Sequence, residues 1–174
     1  MQWRSGEAGH DRSMAENVKW ILDHSNGAKV VVWSTNGHVA AGGFGDDLMG
    51  ALLRKMFGQQ MIVFGFAFNQ GSFQAQDQGK VVRDVTVPAA PAGSLDATLA
   101  ATGIPLFALD LRQAPKSGPV AEWLRVAHKS RNVGPTYVDD RPERYMADLI
   151  APECFDAILF VEKSTAPHKR LRRR

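Results

Sequence analysis

Apolar residues recur at helical spacing near the start of the chain. Met14, Val18, Ile21 and Leu22 share one face of a helix running to about His24. Asp11 is placed to cap that helix. The stretch Ser25–Gly27 stops it, with Gly27 suited to a left-handed turn. The period then changes. "KVVVW", Lys29–Trp33, is short, continuous and β-branched, the pattern of a buried parallel strand. A loop rich in glycine follows, through Gly42, Gly43 and Gly45. "DDLMGALLRKMFG" predicts a helix over about 47–57, closed by Gly58.

The remainder alternates in the same way. "QMIVFGFAF" (60–68) reads as a strand, and "KVVRDVTVP" (80–88) as an edge or hairpin strand. Ser94 caps a short helix ending at Gly103. "PLFALDL" (105–111) reads as a buried strand. Pro119 sits in the first turn of the next helix, where proline is tolerated. Residues 132–141 are polar and loop-like, "ERYMADLI" reads as a short helix, and "FDAILFVEKS" (155–164) as a last strand. This order predicts an α/β layered domain with a mainly parallel sheet flanked by helices, over residues 1–167. The pattern starts on a helix with no strand before it. That points to part of a larger domain, with a sheet edge and a core face left open.

Composition changes little. Apolar residues make up 44% and charged residues 22% of the 174, an ordinary globular mixture. Charge does change the picture. The net +3 comes from the tail "HKRLRRR" (168–174); without its five Lys and Arg, 16 basic side chains face 18 acidic ones. The tail has no interleaved aromatic residues, so bases have no stacking platform and nucleic acid is not an expected partner. A solvated, untethered end is the expectation. No apolar run is long enough for a membrane span and the first residues lack a signal-peptide core, so a cytoplasmic protein without a membrane partner is expected.

Several chemistries fall away on spacing. "GGFGDD" lies between a strand and a helix. However, more than ten residues separate Trp33 from that helix, and Asp46 and Asp47 stand where phosphate needs donors, which argues against nucleotide binding. Ser34 and Ser72 lack the Gly-x-Ser-x-Gly setting of a serine hydrolase. The histidines at 10, 24, 38, 128 and 168 are not spaced as metal ligands. Cys154 is the only cysteine and reads as a buried, idle thiol. Phe64, Phe66, Phe68 and Phe73 read mostly as core, with some available to line an apolar cleft. Asp139, Asp140 and Glu143 read as a solvated acidic loop.

His38 is the best chemical candidate. It follows the C-terminal end of a predicted strand, the edge where open α/β sheets bind ligands. An imidazole there can serve as acid, base or oxyanion donor. Asn36 beside it can donate and accept hydrogen bonds. Composition alone favours a surface-loop histidine without a role.

Ordered motifs tip that balance. "HDRSMAENVKWIL" resembles the Arg-Asp-Arg-x-Met-Ala-Glu-Asn helix start of the erythromycin esterase family. "VVVWSTNGHV" resembles its Trp-Ala-His-Asn-x-His-Val motif, and "MGALLRKMFGQQMIVFGFAFNQGSFQA" its Met-Gly-x-x-Leu-Arg segment and the strand after it. "PAAPAGSLDATLAATGIPLFALDLR" and "FDAILFVEKSTAP" follow in family order, so the resemblance runs from about His10 to Pro167 and covers the C-terminal half of the family pattern. It implies hydrolysis of an ester or lactone by histidine-activated water, without metal or other cofactor; the best-known relatives open macrolide antibiotics and confer resistance. It makes His38 the catalytic candidate, with Asn36, Trp33, Asp11 and Arg12 as substrate-binding candidates. Thr35 stands where the family often has a first histidine, and His10 where it often has arginine. The family's water-activating histidine lies in a Glu-x-x-His-Gly type motif, which this sequence does not contain. The expectation is therefore little or no hydrolysis by this chain alone. The alternative is a non-catalytic module that binds a ligand or complements a missing N-terminal half.

Overall fold

The computed structural model describes residues 3–138 and 142–167. The basic tail and the pair Asp139 and Asp140 lie outside the described residues. The chain divides into two compact units. One comprises Met1–Gly65, Leu109–Ala127 and Leu149–Ile158; the other comprises Phe66–Ala108, His128–Asp148 and Leu159–Arg174.

In the first unit, helix α1 (Trp3–Asp23) packs on helix α3 (Met49–Phe57). Between α1 and α3 comes a single helical turn, α2 (Asn36–Val39). Ala15 of α1 meets Met49, Leu52 and Leu53 of α3, with Met14, Val18 and Val32 against them. The apolar spacing of α1 therefore does the expected work, although Ile21 is exposed. Gly27 and Gly58 both take positive φ, as stop signals at helix ends.

Two expectations for this unit need correction. Asp11 is not an N-cap: α1 begins eight residues earlier and Asp11 lies inside it. Its carboxylate is turned into the unit, onto partners far away in sequence. Lys29–Trp33 forms neither helix nor strand and belongs to no described sheet. Val30, Val31 and Val32 make no backbone hydrogen bond to any described residue. Val32 faces the α1–α3 core, whereas Val31 is 90% and Trp33 82% exposed. A β-branched run is not enough, because a strand also needs neighbours to pair with.

The main sheet has the order β2 (Val82–Val87), β1 (Phe64–Gln76), β6 (Ala157–Ser164), β3 (Leu106–Asp110). It is mixed rather than mainly parallel. The short connection from β1 to β2 enforces an antiparallel hairpin, with Gly71 opposite Val87 and Gln76 opposite Val82. The amide of Glu162 donates to Pro105 O (2.8 Å), and the amide of Leu111 to Asp156 O (2.9 Å). Those two bonds run in opposite senses along the chain, so β3 is antiparallel to β6. β3 is an edge strand and not the expected buried one: Leu106 is 70% exposed. Phe64 and Phe66 are exposed as well, while Phe68 and Phe73 pack on Ala75, Val85, Val87 and Tyr137.

Other local signals behave as read. Ser94 accepts the amide of Ala97 at the start of α4 (Leu95–Ala100), and Pro119 opens α5 (Pro119–Leu124). The segment "ERYMADLI" is corrected. It splits into a 3-10 turn (Pro142–Tyr145) and strand β5 (Met146–Leu149), captured by pairing with β4 (His128–Arg131). Cys154, in the short helix α6 (Ala151–Cys154), is fully buried. Burial pushes its thiol up to about 11, which removes thiolate reactivity at neutral pH.

Asp96 of α4 is fully buried and accepts the Arg131 amide (3.0 Å) and the Ser130 hydroxyl (3.3 Å). Burial raises its carboxyl above the usual 3.8, and those hydrogen bonds only partly oppose the rise. The folded state thus holds this proton more tightly than the unfolded chain. Stability from this group is full at low pH and is lost as pH rises through the raised value. Denaturant midpoints measured against pH should show that decline, and Asp96→Asn should flatten it. An equal slope in the variant would reject the assignment.

Candidate active site

Asp11 and His38, 27 residues apart in sequence, meet in the first unit. His38 Nδ1 lies 2.8 Å from Asp11 Oδ1. Helix α1 presents Asp11 on the same face as Met14, Ala15 and Val18, so the carboxylate is drawn inward and is only 1% exposed. The α2 turn carries His38 toward it, leaving the imidazole side chain 38% exposed. With the carboxylate oxygen as acceptor, the imidazole donates from Nδ1. Nε2 is then the nitrogen left to face a ligand.

The same Asp11 oxygen also accepts the amide of Met49 at 2.9 Å. Met49 is the first residue of α3, whose own N-cap residue, Leu48, supplies no side-chain bond. Asp11 therefore caps α3 from a different helix and sets negative charge against its positive end. Asp11 Oδ2 is buried and has no hydrogen-bond partner among the described residues.

The remaining candidates are less tightly drawn together. Asn36 opens the α2 turn that holds His38. Trp33, three residues before Asn36, presents a largely exposed indole. Arg12 points outward, where its guanidinium lies 3.9 Å from Asp47, both side chains well exposed. Such a surface pair contributes little. Sequence reasoning had treated His10 only as a family departure. Its ring stands edge-on to His38 with centroids 6.2 Å apart. The adjacency of residues 10 and 11 on α1 was the available signal. Among the described residues no group of three or more His, Cys, Asp or Glu side chains is placed to hold a metal ion, and no helix is long and apolar enough to cross a membrane.

The family model described as erythromycin esterase matches residues 2–164. The chain belongs to the erythromycin esterase family. Two solved structures share the fold. One is a Bacillus cereus protein, 23% identical, with a TM-score of 0.81 over 91% of this chain and 39% of that one. The other, described as a succinoglycan biosynthesis protein, is 22% identical, with a TM-score of 0.76 over 90% of this chain and 38% of that one. At these identities they establish the fold alone. This erythromycin esterase family chain thus spans about two fifths of the length of the solved structures it matches. No curated protein matches it significantly.

Proposed function

We propose that this chain carries the Asp11–His38 portion of a hydrolytic site for small-molecule esters or lactones, macrolides among them. The observation supporting this most directly is the 2.8 Å bond between a buried carboxylate and a half-exposed imidazole. Asp11 holds Nδ1, and Nε2 works toward the substrate. In the neutral imidazole, Nε2 accepts a hydrogen bond and orients water; in the protonated form it donates to the developing oxyanion. Water attacks the ester carbonyl and gives up a proton, the tetrahedral oxyanion collapses, and the C–O bond to the alcohol breaks as the leaving oxygen takes up a proton in turn. A lactone ring opens to a hydroxy acid. Trp33 offers an apolar surface to the substrate, and Asn36 and Arg12 offer polar contacts. No cofactor takes part in this reading.

The water-activating histidine of the family motif is absent from the sequence, and loss of a general base costs about 10²–10⁴-fold. A complementing module is therefore the second reading, favoured by the 39% share of the matched structure.

The test uses p-nitrophenyl acetate and a macrolide, with ring opening followed by mass spectrometry. The chain alone should show little turnover. In the complemented protein, His38→Ala should lower kcat by about 100-fold or more with a small change in KM. Undiminished turnover in that variant would remove His38 from the mechanism.

A further inference from the structure

Beside the Asp11–His38 pair stands a second imidazole, that of His10. It precedes Asp11 on α1 and lies four positions ahead of Met14. Residues four apart share a helix face, and Met14 packs at the border of the α1–α3 core. His10 therefore sits at the rim of the buried face, exposed to solvent. Its ring stands edge-on to that of His38, with planes 60° apart and centroids 6.2 Å apart.

The two rings are held differently. His38 Nδ1 is taken up by Asp11, whereas His10 makes no hydrogen bond or ion pair with a described residue. At this separation the ring nitrogens are too far apart to bond each other. The gap suits a reacting group instead, because a hydrogen bond of about 2.7–3.0 Å from each ring spans it. A tetrahedral carbon with two oxygens fits there, one oxygen to each imidazole. In ester hydrolysis those are the attacking oxygen and the carbonyl oxygen.

The bond to Asp11 divides the work between the rings. Donating from Nδ1, a neutral His38 keeps Nε2 as an acceptor, so His38 receives the proton of the attacking water. The carbonyl oxygen then needs a donor. The Asp11 carboxylate accepts from His38 and Met49, and the Arg12 guanidinium points outward to Asp47. A neutral imidazole carries one N–H, and that of His10 is available at the mouth of the site.

We propose that His10 is a second catalytic residue of this site, donating its ring N–H to the oxyanion that forms on the ester carbonyl. The proposal rests on the hydrolytic reading above. Its proton balance closes. His38 takes a proton from water as the new C–O bond forms and returns it to the alcohol oxygen as the ester C–O bond breaks. His10 keeps its own proton throughout.

The test uses the 174-residue chain and methyl phenylphosphonate, a monoanion with the tetrahedral shape of the intermediate. The ring signals of both histidines, followed by NMR, should move on titration with one common Kd. His10→Ala should weaken binding about ten-fold or more, since one oxyanion donor accounts for a factor of about 10²–10³ in the reaction itself. His10→Phe keeps a ring edge-on to His38 and cannot donate, so it should weaken binding as much. His10→Arg donates and cannot accept, and should bind within about three-fold of the unaltered chain. Without the probe, none of these variants should change the tautomer of His38, which a merely structural role for His10 would disturb. Shifts confined to His38, equal binding by His10→Phe and the unaltered chain, or no binding at all would overturn the proposal. Turnover, measured as above, separates it from the reading beneath it. Full turnover in His10→Phe where His38→Ala has lost it rejects this proposal and spares the hydrolytic reading. Probe binding by both rings where His38→Ala keeps full turnover rejects the hydrolytic reading, and the catalytic role of His10 with it.

Discussion

Gly50→Ala should cost this protein about 3 kcal/mol or more. A Cβ at Gly50 would run into the carbonyl oxygens of Val39 and Ala40. Those are backbone atoms directly after His38, and they cannot rotate out of the way as a flexible side chain would. Either α3 moves off the α2 turn or the turn moves and takes His38 with it. A urea midpoint shift measures the first effect, and the ring contact between His38 and Asp11, followed by NMR, measures the second. Gly37→Ala is the matched control. A Cβ there meets nothing within 4 Å, and Gly37 lies in a helical turn. That variant should be neutral or up to about 1 kcal/mol more stable. Equal destabilisation by the two changes would sink the close-approach argument.

Asp11→Ala should lower stability by about 1–3 kcal/mol and release the orientation of His38. Three contributions set the size. The cap on Met49 is lost, at about 1 kcal/mol. The charge-assisted bond to His38 is lost, at about 1.5–3 kcal/mol. Against these, the unpartnered Oδ2 no longer has to be buried, which recovers about 1 kcal/mol or more. Asp11→Asn should lose less stability, because its amide oxygen can still accept from Met49. Both variants should change the ¹⁵N shifts of the His38 ring, which report the tautomer that the carboxylate now fixes. A purely structural role would leave those shifts alone once the protein is folded, and unchanged shifts would reject Asp11 as the positioning residue.

Local chemistry was legible in the sequence where it acts over a few residues. Ser94 bonds Ala97 three residues on, Pro119 opens α5, and Gly27 takes a positive φ in the turn after α1. These depend only on the residues themselves. Lys29–Trp33 failed for the opposite reason: a strand depends on pairing, and pairing belongs to neighbours that the described residues do not supply. The mixed sheet was missed because alternation of helices and strands suggested crossovers, while β1 and β2 join by a short hairpin. The site was half legible. His38 and Asp11 were named, but for separate roles. The mistake over Asp11 came from reading an acidic residue before an apolar run as a cap. Its spacing to Met14, Ala15 and Val18 placed it on the buried face all along. An aspartate there needs a partner from elsewhere in the chain, and His38 is that partner.

One oxygen of Asp11 serves both the imidazole and the first amide of α3. Fraying of that helix end and loosening of the histidine are therefore one opening event. The exchange rate of a single main-chain proton, the amide of Met49, becomes a gauge of how often the histidine is out of place. It can be followed with temperature or added compounds before any substrate is known. A compound that slows it has engaged this corner of the protein, whether or not it is ever hydrolysed.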